Sequence, residues 1–282
     1  MGERVWQAVG VFAPTSLAET RIQMHHAAQL ASAPGTSLLE DRGDFIHTSL
    51  QWVASRGVLA GQPLPWGVRA ALRLVDLHLL LLDENGAEAG SLPLVGVTVA
   101  DALQWLAGEI GRRRGSPVDL ALPDHELPHR LPGRGAAFTL PSGLAAEDLS
   151  RWYDNADQVL RALREEVPNA GPLCAWPHHF DIATLVRLDP EMSPEGGRSI
   201  GVGLSPGDGS YDQPYFYATP WPYPREPRVP VLDGGGSWHR EGWFGAVLLG
   251  SRLAVSPGAE QRTQVEAFLR SAFVACRGLL AA

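Results

Sequence analysis

The sequence predicts an α+β fold, an antiparallel sheet or sheets packed against about four main helices, and three observations carry that expectation. Apolar residues recur at helical spacing in four long segments. Between them lie clusters of short apolar runs broken by turn residues, with no regular alternation of strand and helix. A chain of 282 residues, 45% hydrophobic and 19% charged, is long enough to bury a sizeable core and too apolar to stay disordered.

The first helix is expected over 17–33, where Leu17, Met24, Ala28 and Ala31 share a face and Arg21, His25 and Gln29 form a polar row beside it. His25 and His26 point about 100° apart on such a helix, so a partly exposed structural role is expected for them. Residues 44–67 read as a strand bent at Arg56-Gly57. Strands follow at 68–75, 77–83 and around 87–92, with Asp83-Glu84-Asn85-Gly86 as the tight turn before the last. Leu79 to Leu82 is a continuous apolar run, which predicts cover on both faces. Thr98 and Asp101 resemble a capping box, and Val99, Leu103, Leu106 and Ile110 carry the helical period to Gly115.

The proline-rich stretch 116–143 reads as a long connection with a short strand at 118–122. His125 and His129 lie in it, four apart, but without a helical pattern that spacing has no meaning. Residues 145–167 form the strongest helix, with an apolar stripe from Leu149 to Leu163. Strands are expected at 175–186, 199–204, 215–219 and 243–249. A last helix starts at Ser256-Pro257 and buries Val265, Leu269, Ala272, Cys276 and Leu279. The chain reads as one domain over 1–282, its halves, about 1–115 and 140–282, being candidate layers on one core; their residues do not match as a repeat.

The net charge of −8 argues against nucleic acid and against an anionic membrane as partners, since both need a positive field. All 23 basic residues are arginine, which excludes Schiff-base chemistry and the lysine of a phosphate-binding loop. Cys174 and Cys276 are too few for a disulfide framework and have no zinc spacing. With no apolar run of membrane-spanning length, the expectation is a cytoplasmic protein.

Candidate chemistry concentrates in 171–188 and 214–223. A strand over 175–186 would set Trp176, His178 and Phe180 on one face and His179, Asp181 and Ala183 on the other. His179 and Asp181 would then lie roughly 7 Å apart at the backbone, within reach of one metal or water. His239 is a candidate third ligand, with Asp208, Asp212 and Asp233 as alternatives, none at a diagnostic spacing. An ordinary buried aspartate holding backbone N–H groups is the competing account of Asp181. Tyr215, Tyr217 and Thr219 alternate on one strand face and would line a pocket or a core equally well. The Gly207–Asp212 stretch reads as turn chemistry, and Ser55, Ser142 and Ser237 lack the surroundings of a catalytic nucleophile.

At these residues the chain resembles a family of uncharacterised bacterial proteins whose members carry Trp, then Phe-Asp-Leu-Ala, then a Phe-Tyr-Ala box followed by spaced prolines. The matching residues are Trp176, Phe180-Asp181-Ile182-Ala183, Gly207, Phe216-Tyr217-Ala218, Pro222 and Pro224, preceded by Ser55-Arg56-Gly57 and Pro63-Leu64-Pro65-Trp66-Gly67. The resemblance implies no activity, cofactor or partner. It singles out Asp181 as the polar group in common, because similar proteins have small residues where this chain has His178 and His179. An acid those proteins carry before the last helix is Gly245-Ala246-Val247-Leu248 here.

Three functions follow. The leading one is a small-molecule-binding protein, with or without turnover, whose aromatic pocket is lined by Arg56, Trp176, Asp181, Tyr215 and Tyr217. The others are a metal-assisted hydrolase using His179, Asp181 and His239, and a structural or interaction protein.

Overall fold

The computed structural model describes residues 4–10, 13–127, 135–192, 196–225 and 228–281. Among these the chain is α+β, with two antiparallel sheets and four long helices. It divides into two compact units. The first comprises Leu17–Ser150 and Cys174–Phe180, the second Met1–Ser16, Arg151–Leu173 and Asp181–Ala282.

The first unit opens with α1 (Ala18–Leu38). It buries Met24, Ala28 and Ala31, as the spacing predicts, and also buries the polar row Arg21, His25 and Gln29 that was expected at its border. His25 and Gln29 are tolerated there because they find a backbone carbonyl: His25 Nε2 and Gln29 Nε2 both donate to that of Pro177, at 2.8 and 2.7 Å. Two glycines let backbones meet here. A Cβ on Gly35 would lie 2.0 Å from the His47 carbonyl oxygen, and one on Gly61 2.6 Å from that of Ala31.

The unit's sheet runs in the order β1 (Gln51–Val53), β2 (Val58–Ala60), β3 (Val68–Arg73), β4 (His78–Asp83), β5 (Glu88–Pro93). The bent strand expected over 44–67 is instead a 3-10 turn at Ile46–Thr48 and a hairpin, closed by Arg56 N donating to the Val53 carbonyl with Gly57 at φ 62°. Leu79 to Leu82 are all buried, so the sheet is covered on both faces as the unbroken run implies. Helix α2 (Val99–Arg114) is capped as its sequence announces: Asp101 N donates to Thr98 Oγ1 at 3.2 Å, and Gly115 closes it at φ 79°. No strand forms at 118–122; Ala121 N bonds the Ser37 hydroxyl instead, and the bridges fall later, at Ala137 and Phe138. His129 lies outside the described residues. Helix α3 (Gly143–Glu166) starts where Ser142 Oγ accepts the Ala145 N–H.

The strand expected over 175–186 is two strands. β6 (Cys174–Trp176) exchanges a pair of hydrogen bonds between Ala175 and Leu50. The chain then turns through 177–180, where Pro177 has no N–H to give a ladder, Phe180 N donates to the Trp176 carbonyl at 2.7 Å, and Phe180 sits at φ 55°. His178 and His179 therefore occupy a turn, and His179 does not share a strand face with Asp181.

Of the second sheet, five strands belong to the second unit. They are β7 (Asp181–Arg187), β8 (Ser199–Ser205), β9 (Tyr215–Trp221), β10 (Ser237–His239) and β11 (Gly245–Leu249), ordered β10-β11-β9-β8-β7. The three-residue β10 has no counterpart in the sequence reading. A short α4 (Gly250–Leu253) precedes α5 (Gly258–Ala281), which packs on β8, β9 and β11 and buries Val265, Leu269, Ala272 and Cys276; Leu279 is only half-buried. The segment before α1 is held by side-chain amides that mimic a neighbouring strand. Asn155 bonds both the N–H and the carbonyl of Gln7, and Gln261 does the same for Val9. Among the described residues no helix is long and apolar enough to cross a membrane.

Candidate functional site

The tyrosines of β9 alternate as predicted, and their face of the sheet carries two phenol–carboxylate pairs. Tyr217 Oη donates to Asp181 Oδ2 in a short bond, and Tyr215 Oη to Asp208 Oδ2 at 2.5 Å. Their rings lie 6.1 Å apart. Gly203, paired with Tyr217 in the ladder, leaves the space over which the Tyr217 hydroxyl reaches Asp181. Asp208 is positioned by its own turn, accepting from Ser210 N and Tyr211 N through Oδ1. Burial first, and then the neighbouring carboxylate, push both phenols above the usual tyrosine range. Each hydroxyl thus keeps its proton and serves as a donor to its aspartate.

The remaining predicted residues lie elsewhere or are otherwise engaged. Arg56 is exposed at the β1–β2 hairpin of the first unit. Trp176, half-buried at the end of β6, has its ring 6.2 Å from that of His178, and His179 is exposed on the following turn. His239 ends β10, where its Nε2–H donates to the Glu241 carbonyl at 2.6 Å. Its Nδ1 must then accept from the Tyr211 hydroxyl, at 2.8 Å. With both nitrogens engaged, His239 has no lone pair to offer a metal. Among the described residues no group of three or more His, Cys, Asp or Glu side chains is arranged to hold a metal ion.

A different set of residues, all in the first unit, surrounds a pocket of about 490 Å³. Its walls are the last turn of α1 at Thr36, the 41–48 segment with Asp41, Phe45, His47 and Thr48, the connection at Pro123, Asp124 and His125, and His178 of the turn after β6. Phe45 holds the unusual conformation φ 57°, ψ 12° and leaves 60% of its surface exposed. Left-handed backbone costs a residue with a side chain roughly 1–2 kcal/mol, and the local bonding sustains it. Phe45 N donates to the Arg42 carbonyl, Ile46 N to Asp44 Oδ1, and Thr48 N and Oγ1 to the Phe45 carbonyl.

Two histidines of this pocket, His47 and His125, have their proton positions fixed by their hydrogen bonds. The Gln29 amide gives its N–H groups to the Pro177 and His25 carbonyls, so its oxygen faces His125 and accepts from His125 Nε2 at 2.8 Å. The His125 Nδ1 is left as an acceptor. His47 Nδ1 accepts the Arg42 backbone N–H at 3.1 Å, which puts its proton on Nε2, 3.5 Å from Asp41 Oδ1. Neither ring nitrogen of His178 is bonded to another described residue, and its ring lies 4.3 Å from His179 and 5.7 Å from His125. Burial, followed by repulsion from His179 and His125, lowers the His178 imidazole to about 4. Burial and His179 lower His125 as well. Behind the pocket, burial takes His25 down to about 3.

Imidazole nitrogens, an exposed aromatic ring and two carboxylates can bind a small molecule by shape and by accepting its hydrogen bonds. Of this wall, the sequence singles out only His125, whose spacing from His129 lacks a helical pattern, and His178, where the proteins this chain resembles have small residues. The left-handed Phe45 has no sequence signature. No family model matches the chain, and neither a curated protein nor a solved structure was found to be similar to it.

Proposed function

We propose that this chain binds a small organic molecule in the histidine-lined pocket of its first unit. One observation carries the reading: a pocket of about 490 Å³, within the roughly 300–1,000 Å³ usual for small-molecule sites, whose wall holds the Phe45 ring exposed in a strained backbone. Strain of this kind persists where the surroundings over-determine it and gathers at ligand sites. The function class is the one the aromatic residues suggested. What supports a different site is that the Tyr215 and Tyr217 hydroxyls already bond to Asp208 and Asp181, whereas His178 and His125 Nδ1 have acceptors to offer.

A fragment screen followed by NMR of the histidine ring signals tests the reading. Binding fragments should shift His125 and His178, leave His78 unmoved, and lose affinity at least ten-fold in Phe45→Ala. Hits that leave both rings unmoved, or that bind Phe45→Ala equally well, would place the ligand elsewhere.

A further inference from the structure

Resting on that reading of the pocket, we infer that its ligand is an organic cation, an amine whose ammonium group meets the Asp124 and Asp41 side and whose apolar part lies on Phe45. Among the described residues, the pocket wall contains two carboxylates, three imidazoles, an aromatic ring, two threonines and a proline, and no arginine. The nearest arginine in sequence, Arg42, is not among the lining residues and pairs with Asp44 through two bonds, at 3.1 and 2.7 Å. No described residue of the wall therefore brings a permanent positive charge to balance an anionic ligand.

The imidazoles of His125 and His178 do not supply the missing charge, and His47 Nδ1 is engaged as the acceptor of the Arg42 backbone N–H. A proton on His125 or His178 would also face its histidine neighbours, His178 being 4.3 Å from His179. At neutral pH the site thus presents acceptors: the carboxylate oxygens of Asp41 and Asp124 and the Nδ1 of His125. An ammonium group is the organic function that brings several donors and a positive charge together. An exposed phenyl face adds attraction for the same group when it lies within about 6 Å of the ring centre.

Benzylamine, benzyl alcohol and benzoate share a ring and differ in charge, so titrating each into the protein at pH 7.5, with His125 and His178 ring signals as readout, tests the class. Benzylamine should bind at least ten-fold tighter than either isostere, and should weaken about three-fold or more in Asp124→Asn and on raising the salt. Asp124 is exposed, so that variant keeps the fold. Benzoate or benzyl alcohol binding as tightly as benzylamine would overturn the cation and leave the pocket reading standing. The same holds if none of the three binds while other, uncharged fragments move the two histidines. Failure of every fragment to move them would overturn both.

Discussion

His25 donates its Nε2 proton to the carbonyl of Pro177 across 2.8 Å, with its ring stacked 5.2 Å from Phe180. This buried bond ties α1 to the turn that carries His178, so the ordering of the pocket depends on a histidine that must stay neutral.

Stability should consequently fall in mild acid. Burial holds the folded-state value of His25 at about 3, against 6.5 for the free side chain. Between those values the unfolded chain binds a proton that the folded chain refuses, so the contribution is complete above pH 6.5 and is lost as the pH falls toward 3. One such group gives a slope of about 1.4 kcal/mol per pH unit, and His178, held near 4, acts in the same direction. Urea midpoints at pH 7, 6 and 5 should decline in step. His25→Gln should flatten the decline; an unchanged slope would mean that His25 does not control it.

Tyr217→Phe removes a phenol that is a donor to a buried carboxylate. Loss of one hydrogen bond to a charged acceptor costs about 1–3 kcal/mol, readable by chemical denaturation. The variant should also leave the spectrophotometric titration below pH 11 unchanged, because the Tyr217 hydroxyl is held well above the ordinary tyrosine range. A smaller absorbance rise in the variant over that interval would show that Tyr217 ionises there.

Gln29 joins three partners with one amide: the His25 and Pro177 carbonyls through its nitrogen and His125 through its oxygen. Gln29→Leu should destabilise by about 2–3 kcal/mol, since it strands buried polar groups. The His125 ring should still titrate below 6.5 by NMR, because burial and His179, which lower it, are untouched. Gln29→Glu should raise the His125 value, because the carboxylate favours the imidazolium.

Periodicity made much of this fold legible. The Thr98 cap and Gly115 stop of α2, the covered Leu79–Leu82 strand and the shared face of Tyr215 and Tyr217 all follow from local rules that the structure obeys. The errors arose where one backbone angle reverses the chain. Gly57 at φ 62° turns an expected bend into a hairpin, and Phe180 at φ 55° ends a run that reads as continuous strand. A phenylalanine in that region has no sequence mark, and the same holds for Phe45. The pocket was illegible for a further reason: His47, His125 and His178 are far apart in the chain and meet only through α1 packing and the turn at 177–180.

The two glycines of β8 offer a paired test of how closely the tyrosine face is packed. A Cβ on Gly203 would lie 2.7 Å from both the Ala183 Cβ and the Ile182 carbonyl oxygen, and 2.8 Å from the Tyr217 hydroxyl. The phenol could swing aside only by leaving Asp181, and the strand backbone can yield little, so Gly203→Ala should destabilise by about 1–3 kcal/mol. A Cβ on Gly201, two residues earlier on the same strand, would meet nothing within 4 Å. Gly201→Ala should therefore be neutral or stabilise by up to about 1 kcal/mol through the entropy it removes from the unfolded chain. Thermal and urea unfolding of the two variants side by side separates a steric requirement at Gly203 from a general intolerance of the strand. Equal destabilisation in both would defeat the steric account.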